Sequence, residues 1–414
     1  VDLQEKLQRM HKKEKKVSRS QDNYPDLSPF VGGQQVQGRG GSFWSITREF
    51  PACFVHGRHM LGGVASITGA EIGTWEQGTM GEFSTSDLVF LDTETTGLAG
   101  GTGTVAFLIG VGSWEEGVFR LRQFLMRDFP EEPPLLEQLA EYLADKKVLI
   151  TFNGRSFDWP LLETRFTLSR LHRIIPGWKQ HWDLLFWARR LWREKLPSCS
   201  LASLEKNVLG FFRQGDIPGA EIPQRYFDFL KSGRGELLQD ICEHNTWDIL
   251  SMVTLLLHLG SSHYLVPEKI ECPQEALALG RMLENRKDKN NPEPFYLQAA
   301  DCGQPRLQGT AWLRLGFWYK KQKDWEQAEK AWLKLLEIDQ HPVLARVELA
   351  KIYEHRKKDW ALALQLTRQA LALAFQEDNS RAVDELEHRS CRLERKNKKR
   401  RLNREGISAD NNGR

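Results

Sequence analysis

Leu88-Val89-Phe90-Leu91-Asp92-Thr93-Glu94-Thr95-Thr96-Gly97 is a short apolar run that ends in two acids and a glycine turn. An apolar run bounded in this way reads as a buried β-strand. Alternate residues of a strand share a face, so Asp92 and Glu94 project together from its end. Neighbouring carboxylates repel one another and are costly to place beside a core. A divalent cation between them removes the repulsion, and hard oxygen donors suit Mg²⁺ or Mn²⁺. An isolated Asp-x-Glu reads more simply as a helix cap or a solvated turn, so the rest of the chain has to decide.

Outward from this strand, Val105–Val111, Phe119–Leu125 and Val148–Phe152 read as further strands. Pro134–Ala144 reads as a helix with Leu135, Leu136, Leu139 and Leu143 on one face. Phe157–Leu171 reads as the next helix, Trp182–Phe186 as a fifth strand followed by a helix to Trp192, and Leu237–Leu259 as a strongly apolar helix. Three hairpin strands followed by alternating helix and strand predict an α/β fold. The expected architecture is an RNase H-like mixed sheet flanked by helices over 86–262.

Residues 1–42 are polar, basic around Lys12–Lys16 and rich in glycine, and are expected to be disordered. Residues 43–85 are expected to form a small extension on the next domain. After Val266-Pro267 the chain turns all-helical. Leu315-Gly316-x-x-Tyr319 recurs as Leu349-Ala350-x-x-Tyr353, and Asp324-Trp325 as Asp359-Trp360. This spacing resembles tetratricopeptide repeats. An all-α tetratricopeptide-like domain is expected over 306–378, with 263–305 a helical linker or degenerate repeat. Such repeats serve about equally as a partner-binding surface and as a cover for one face of a catalytic domain. A basic tail is expected over 379–414: Arg389–Arg404 holds nine Lys/Arg and one acid, Glu394. Such a run is most often a solvated tail, and beside a phosphate-handling core it adds non-specific nucleic-acid affinity.

Hydrophobic content of 40% supports a sizeable core, and a net charge of +3 makes the chain nearly neutral. Its six cysteines form no CxxC, which argues against a zinc site and a disulfide framework. The charged N-terminus lacks the apolar core of a signal peptide, and Ile249–Leu259 is too short to span a bilayer. A cytoplasmic protein without membrane contact is expected.

Two further motifs carry acids. Asn153-Gly154-Arg155-Ser156-Phe157-Asp158 follows a strand and opens a helix. Asp158 there reads as a first-turn acid favoured by the helix dipole, or as a carboxylate facing Asp92 across the strand ends. His244-Asn245-Thr246-Trp247-Asp248 places His244 and Asp248 at i and i+4, on one helix face beside an apolar stripe. Asp183 reads equally as a further site carboxylate and as a partner for local backbone.

Taken in order, the three motifs resemble the DEDD superfamily of 3′–5′ exonucleases, and more closely its YprB-like branch. The run Gly97–Gly103, His181-Trp182-Asp183-Leu184, Ser200–Glu205, Asp216–Gly219 with Ile222-Pro223, and His244-Asn245 are also similar to that branch. The resemblance covers about 86–260. It implies a metal-dependent exonuclease acting on DNA or RNA at a single-stranded 3′ end, with two divalent cations, Mg²⁺ or Mn²⁺. It implies Asp92, Glu94, Asp158 and Asp248 as ligands, with Asp92 bridging both cations, Glu94 and Asp248 on the first and Asp158 on the second. It implies His244 as general base. Asn153, Thr95, Asn245 and Phe157 are the expected substrate contacts. One departure bears on His244. Exonucleases of this superfamily with a catalytic His usually set it five residues before the last Asp, whereas His244 precedes Asp248 by four, the spacing of the Tyr branch. Two other readings compete: a catalytically silent nucleic-acid-binding scaffold, and a structure-specific endonuclease. Four retained carboxylates argue against decay, because unpaired acids destabilise a fold that binds no metal.

Overall fold

A computed structural model describes residues 24–67, 72, 75, 83–97, 103–261, 264, 266–285, 291–378 and 380–410, the last ten as backbone only. The basic stretch at Lys12–Lys16 and most of the run between Gly97 and Gly103 lie outside the described residues. The chain divides into two units, Val1–Ser262 and His263–Arg414.

After a single helical turn at Ser28–Val31, the first unit has β1 (Gln34–Gly38) and β2 (Gly41–Pro51), then the short pair β3 (Val55–His56) and β4 (His59–Met60). There follow β5 (Leu88–Thr95), β6 (Ala106–Glu115), β7 (Val118–Leu125), α1 (Glu132–Leu143), β8 (Val148–Thr151), α2 (Asp158–Leu168), β9 (Gln180–Asp183), α3 (Leu184–Trp192), α4 (Ile222–Ser232) and α5 (Gln239–Leu259). Seven strands form one sheet in the order β1-β2-β7-β6-β5-β8-β9. From β1 through β2, β7 and β6 to β5 each pairing is antiparallel, while β8 and β9 run parallel to β5. This mixed sheet with flanking helices is the expected α/β class and is consistent with an RNase H-like fold.

Burial explains the sheet's centre. Leu88–Leu91 of β5 are buried, as is every residue of β6 except Glu115, so both faces of these strands are covered. β6 turns into β7 through Glu116 and Gly117, whose φ values of 50° and 85° make the tight hairpin turn that matches strand twist.

Three boundaries differ from the sequence reading. Residues 34–42 are not disordered: β1 pairs with β2 along its length, and both extend the sheet. Its sequence, Gln34–Gly38, is polar and largely exposed, as an edge strand can be, so no apolar alternation announces it. The fifth strand is Gln180–Asp183, and Leu184–Phe186 belong to α3 instead. The Asp183 carboxylate accepts from the Leu185 N–H and starts the helix there. Finally, α2 spans Asp158–Leu168, ending three residues short of Leu171.

The second unit is all-helical: α6 (Pro273–Glu284), α7 (Glu293–Ala300), α8 (Pro305–Gln322), α9 (Trp325–Glu337), α10 (Pro342–Ile352), α11 (Trp360–Gln376) and α12 (Ser380–Asp410). Each helix packs on the next. The repeated Asp-Trp pairs are helix starts, with Asp324 accepting from the Gln327 N–H and Asp359 from the Leu362 N–H, both at 3.1 Å. The repeated tyrosines each reach back to an acid of an earlier helix: Tyr319 donates to Glu293 at 2.6 Å and Tyr353 to Glu329.

The expected basic tail is helical in its described part. Glu354, with a fully buried side chain, accepts from Arg389, Arg392 and Lys396 of α12, each at 2.9 Å. Those three charges are therefore fixed to the fold rather than solvated on a free segment. Among the described residues no helix is long and apolar enough to cross a membrane.

Candidate functional site

The sheet centre and α5 build the site together. α5 lies close on β5 and β6 because β6 carries no side chain at two positions. A Cβ on Gly110 would meet Asn245 Oδ1 at 2.1 Å, and one on Gly112 would meet Phe119 Cζ at 2.4 Å and Ile249 Cγ2 at 2.8 Å. Gly110→Ala is therefore expected to force α5 outward. The overpacking costs about 1–3 kcal/mol, read as a lower melting temperature. An unchanged melting curve would mean that the helix gives way freely.

Asn245 is the joint. It is fully buried, its Nδ2 donates to Asp92 Oδ2 at 2.8 Å, and its Oδ1 accepts from Gln123 Nε2 at 2.8 Å. The Gln123 donor fixes the amide's orientation and leaves the NH₂ facing Asp92. Asn245 thus orients a site carboxylate, whereas the sequence reading placed it on substrate.

Glu94 sits where the β5–β6 register shifts, between Glu94 and Thr95. Irregularities of this kind re-aim a side chain next to functional sites. Glu94, His244 and Asp248 each present one ligand atom, all within 4.8 Å of one another. Asp92 and Asp158 stand outside this tight set but inside its electrostatic reach. Burial raises the Asp92 carboxyl well above its usual range, and the Asp248 and Asp158 charges raise it further. Burial, then the charges of Asp92, Asp248 and Asp158, do the same to Glu94. Asp158 is pushed up by burial to about 6, against the hydrogen bonds it accepts. Its Oδ1 takes the Thr93 N–H at 3.1 Å and the Thr93 hydroxyl at 2.5 Å, so this carboxylate reaches β5 across the strand ends.

Asp183 resolves to one of its two readings. It is fully buried and accepts from the backbone N–H groups of Asn153, Arg155 and Leu185 at 2.8 to 3.1 Å. It shapes the loop that delivers Asp158. Asn153 holds this turn with φ at 70°. The Thr95 hydroxyl donates to the Gly97 carbonyl at 2.8 Å. Phe157 is the expected substrate contact that stands open, 53% exposed and next to Asp158 in the chain.

Arg213 is a member of the cluster that the motifs did not point to. Its guanidinium grips Glu205 with Nε–Oε2 at 2.8 Å and NH2–Oε1 at 2.6 Å, donates to Asp248 Oδ1, and reaches Asp216 Oδ2 at 3.2 Å. Burial works against its charge, but Glu205 and Asp248 hold it protonated above the usual arginine range. Asp216 also lies 2.7 Å from His244 Nδ1. Glu205 and Asp216 fall within stretches that carried the family resemblance, but Arg213 sits between those stretches in Phe211–Gly215, which shows no periodicity.

Residues 89–260 match the family model described as the RNase_H superfamily, so the site belongs to a domain of that superfamily, whose members are typically nucleases. The protein YprB of Bacillus subtilis (strain 168) is 31% identical over 419 residues, spanning 96% of this chain and 99% of YprB. The chain belongs to the family of YprB. Among solved structures, the family B DNA polymerase of Pyrobaculum calidifontis overlaps 66% of this chain and 34% of its own, at 13% identity and a TM-score of 0.34. So slight an overlap bears on neither fold nor chemistry.

Proposed function

We propose that the protein is a metal-dependent nuclease, a 3′–5′ exonuclease that hydrolyses phosphodiester bonds of DNA or RNA. The observation that carries this reading is the convergence of Asp92, Glu94, Asp158 and Asp248 at the strand ends, with burial opposing ionisation of three of them and mutual charge adding to it at Asp92 and Glu94. Four hard oxygen donors held against their own repulsion fit two divalent cations, Mg²⁺ or Mn²⁺. Asp92 would serve both cations, Glu94 and Asp248 the first, and Asp158 the second. Bound there, the pair would supply charge to the attacking and leaving oxygens of an in-line displacement.

The chain's own residues do the positioning. Asn245 aims Asp92, Thr93 aims Asp158, and Arg213 aims Asp248. Phe157 offers a ring on which an unpaired base can stack. Phe157→Ala is expected to weaken single-strand binding by about 1–3 kcal/mol, measured by fluorescence anisotropy in EDTA. Affinity equal to wild type would remove Phe157 from the substrate path. The recurring Asp caps and tyrosine bonds of the second unit support tetratricopeptide-like repeats, whose surface could take a protein partner.

The test is degradation of end-labelled single-stranded DNA and RNA beside a closed circle, with Mn²⁺, Mg²⁺ or EDTA. Loss from the 3′ end that stops in EDTA is expected. Cleavage of the circle would make the enzyme an endonuclease, and full activity in EDTA would end the metal reading.

A further inference from the structure

We infer that His244 is a metal ligand, completing with Glu94 and Asp248 a mixed nitrogen–oxygen site that takes Mn²⁺ in preference to Mg²⁺. The inference rests on the metal-dependent reading above and replaces the general-base role that the family resemblance implies for this residue.

The hydrogen bonds around the ring decide which nitrogen is bare. His244 Nδ1 lies 2.7 Å from Asp216 Oδ1. A carboxylate at that distance is placed to accept an Nδ1 hydrogen, so Nδ1 is engaged on this side of the ring. Arg213 NH1, 3.2 Å from the same nitrogen, has Asp216 Oδ2 as its alternative acceptor. Nε2 is the ring nitrogen left for a ligand.

Nε2 faces carboxylate oxygens: Glu94 Oε1 at 3.9 Å and Asp248 Oδ2 at 3.5 Å. Both gaps exceed a good hydrogen bond. A cation with ligands at about 2.1 Å separates adjacent ligand atoms by roughly 3 Å and opposite ones by roughly 4 Å. The observed gaps lie within that range, so the arrangement fits a shared cation better than a direct hydrogen bond.

The spacing agrees. His244 and Asp248 are one helical turn apart on α5, which puts both side chains on one face, as ligand pairs on helices require. The four-residue interval that is unusual for a general base is natural for two ligands. Both are braced by one guanidinium: Arg213 occupies Asp248 Oδ1, leaving Oδ2 toward the cluster, and contacts Asp216 behind the ring. A carboxylate behind a ligating imidazole fixes its tautomer and orientation, which makes Asp216 a positioning residue. Imidazole binds transition-metal ions well, whereas Mg²⁺ favours oxygen donors and gives up its water reluctantly.

The deciding measurement is electron spin-echo envelope modulation on the whole chain loaded with Mn²⁺. Wild type is expected to show ¹⁴N coupling from a directly bound imidazole, and His244→Ala and His244→Gln to lose it. Calorimetric titration should find Mn²⁺ affinity reduced roughly 10–100-fold in Asp216→Asn, and Mg²⁺ affinity less affected than Mn²⁺ affinity in His244→Ala. Tight Mn²⁺ binding without ¹⁴N coupling in wild type, or coupling retained in His244→Ala, overturns the inference and leaves the nuclease reading intact. No Mn²⁺ binding at all would overturn both. The wild-type spectrum decides even if a variant fails to fold.

Discussion

Asp92→Asn abolishes nucleic-acid degradation while leaving a folded and, without metal, more stable protein. The activity loss is expected to reach at least about 10²-fold, the scale of removing one fixed charge-stabilising group at a reacting centre. The stability gain follows from the electrostatics of the empty cluster. Asp92 and Glu94 are raised well above their ordinary values, chiefly by burial, and Asp158 rises from 3.8 to about 6. A carboxyl raised on folding favours the folded state below its unfolded value and loses that contribution as pH climbs through its folded value. In EDTA, wild type should therefore lose stability relative to Asp92→Asn as pH rises from near 4 through 6 and beyond. Melting curves at matched pH with saturating Mn²⁺ should show the difference shrink or reverse. A variant that keeps wild-type turnover would remove Asp92 from the site. Parallel melting temperatures across pH would mean that the acids do not strain the fold.

The second large effect is expected at Arg213. Its side chain is 8% exposed and grips Glu205, which is 2% exposed. Ser251 donates to the same carboxylate at 2.6 Å, and His56 meets that hydroxyl at 2.8 Å. Arg213→Met leaves Glu205 buried without its counter-charge. Breaking such a pair from one side costs roughly 3–5 kcal/mol, a fall in melting temperature on the order of 10 °C for a unit of this size. It also frees Asp248, so activity should fall with stability. Arg213→Met with Glu205→Leu removes both charges and should recover much of the melting temperature without recovering activity, because Asp248 still lacks its brace. A single variant melting within about 1 °C of wild type would mean that water replaces the guanidinium there.

Much of the sheet was legible because burial writes itself into sequence. Leu88–Leu91 and the β6 run are apolar on both faces, as strands between helices must be. The edge strand β1 was invisible for the converse reason: one neighbour and a wet face ask nothing apolar of it. The α3 boundary was misplaced because Trp182–Phe186 is apolar except for Asp183, and only that residue's cap marks the change from strand to helix. At the site, Asp92, Glu94, Asp158, His244 and Asp248 could be named because the three motifs in order resemble a known family, whereas each acid alone also reads as a cap or a surface partner. Asn245 was named but given the wrong neighbour, since its orientation depends on Gln123, far away in the chain. Arg213 was missed because a loop cation leaves no pattern, and what it holds is decided only when the loop closes on α5.

Asn245 joins three segments distant in sequence, taking Gln123 from β7 and giving to Asp92 on β5 while riding on α5. With no solvent around it, none of these bonds can be exchanged for water one at a time. α5 cannot peel from the sheet while Asp92 stays in place, so fraying of this helix and loss of the site are one event. The cluster therefore inherits the cooperativity of the core instead of the looseness typical of loop-borne sites. Slow drift between working and misaligned forms, common where catalytic groups ride on mobile segments, has no structural route through this joint.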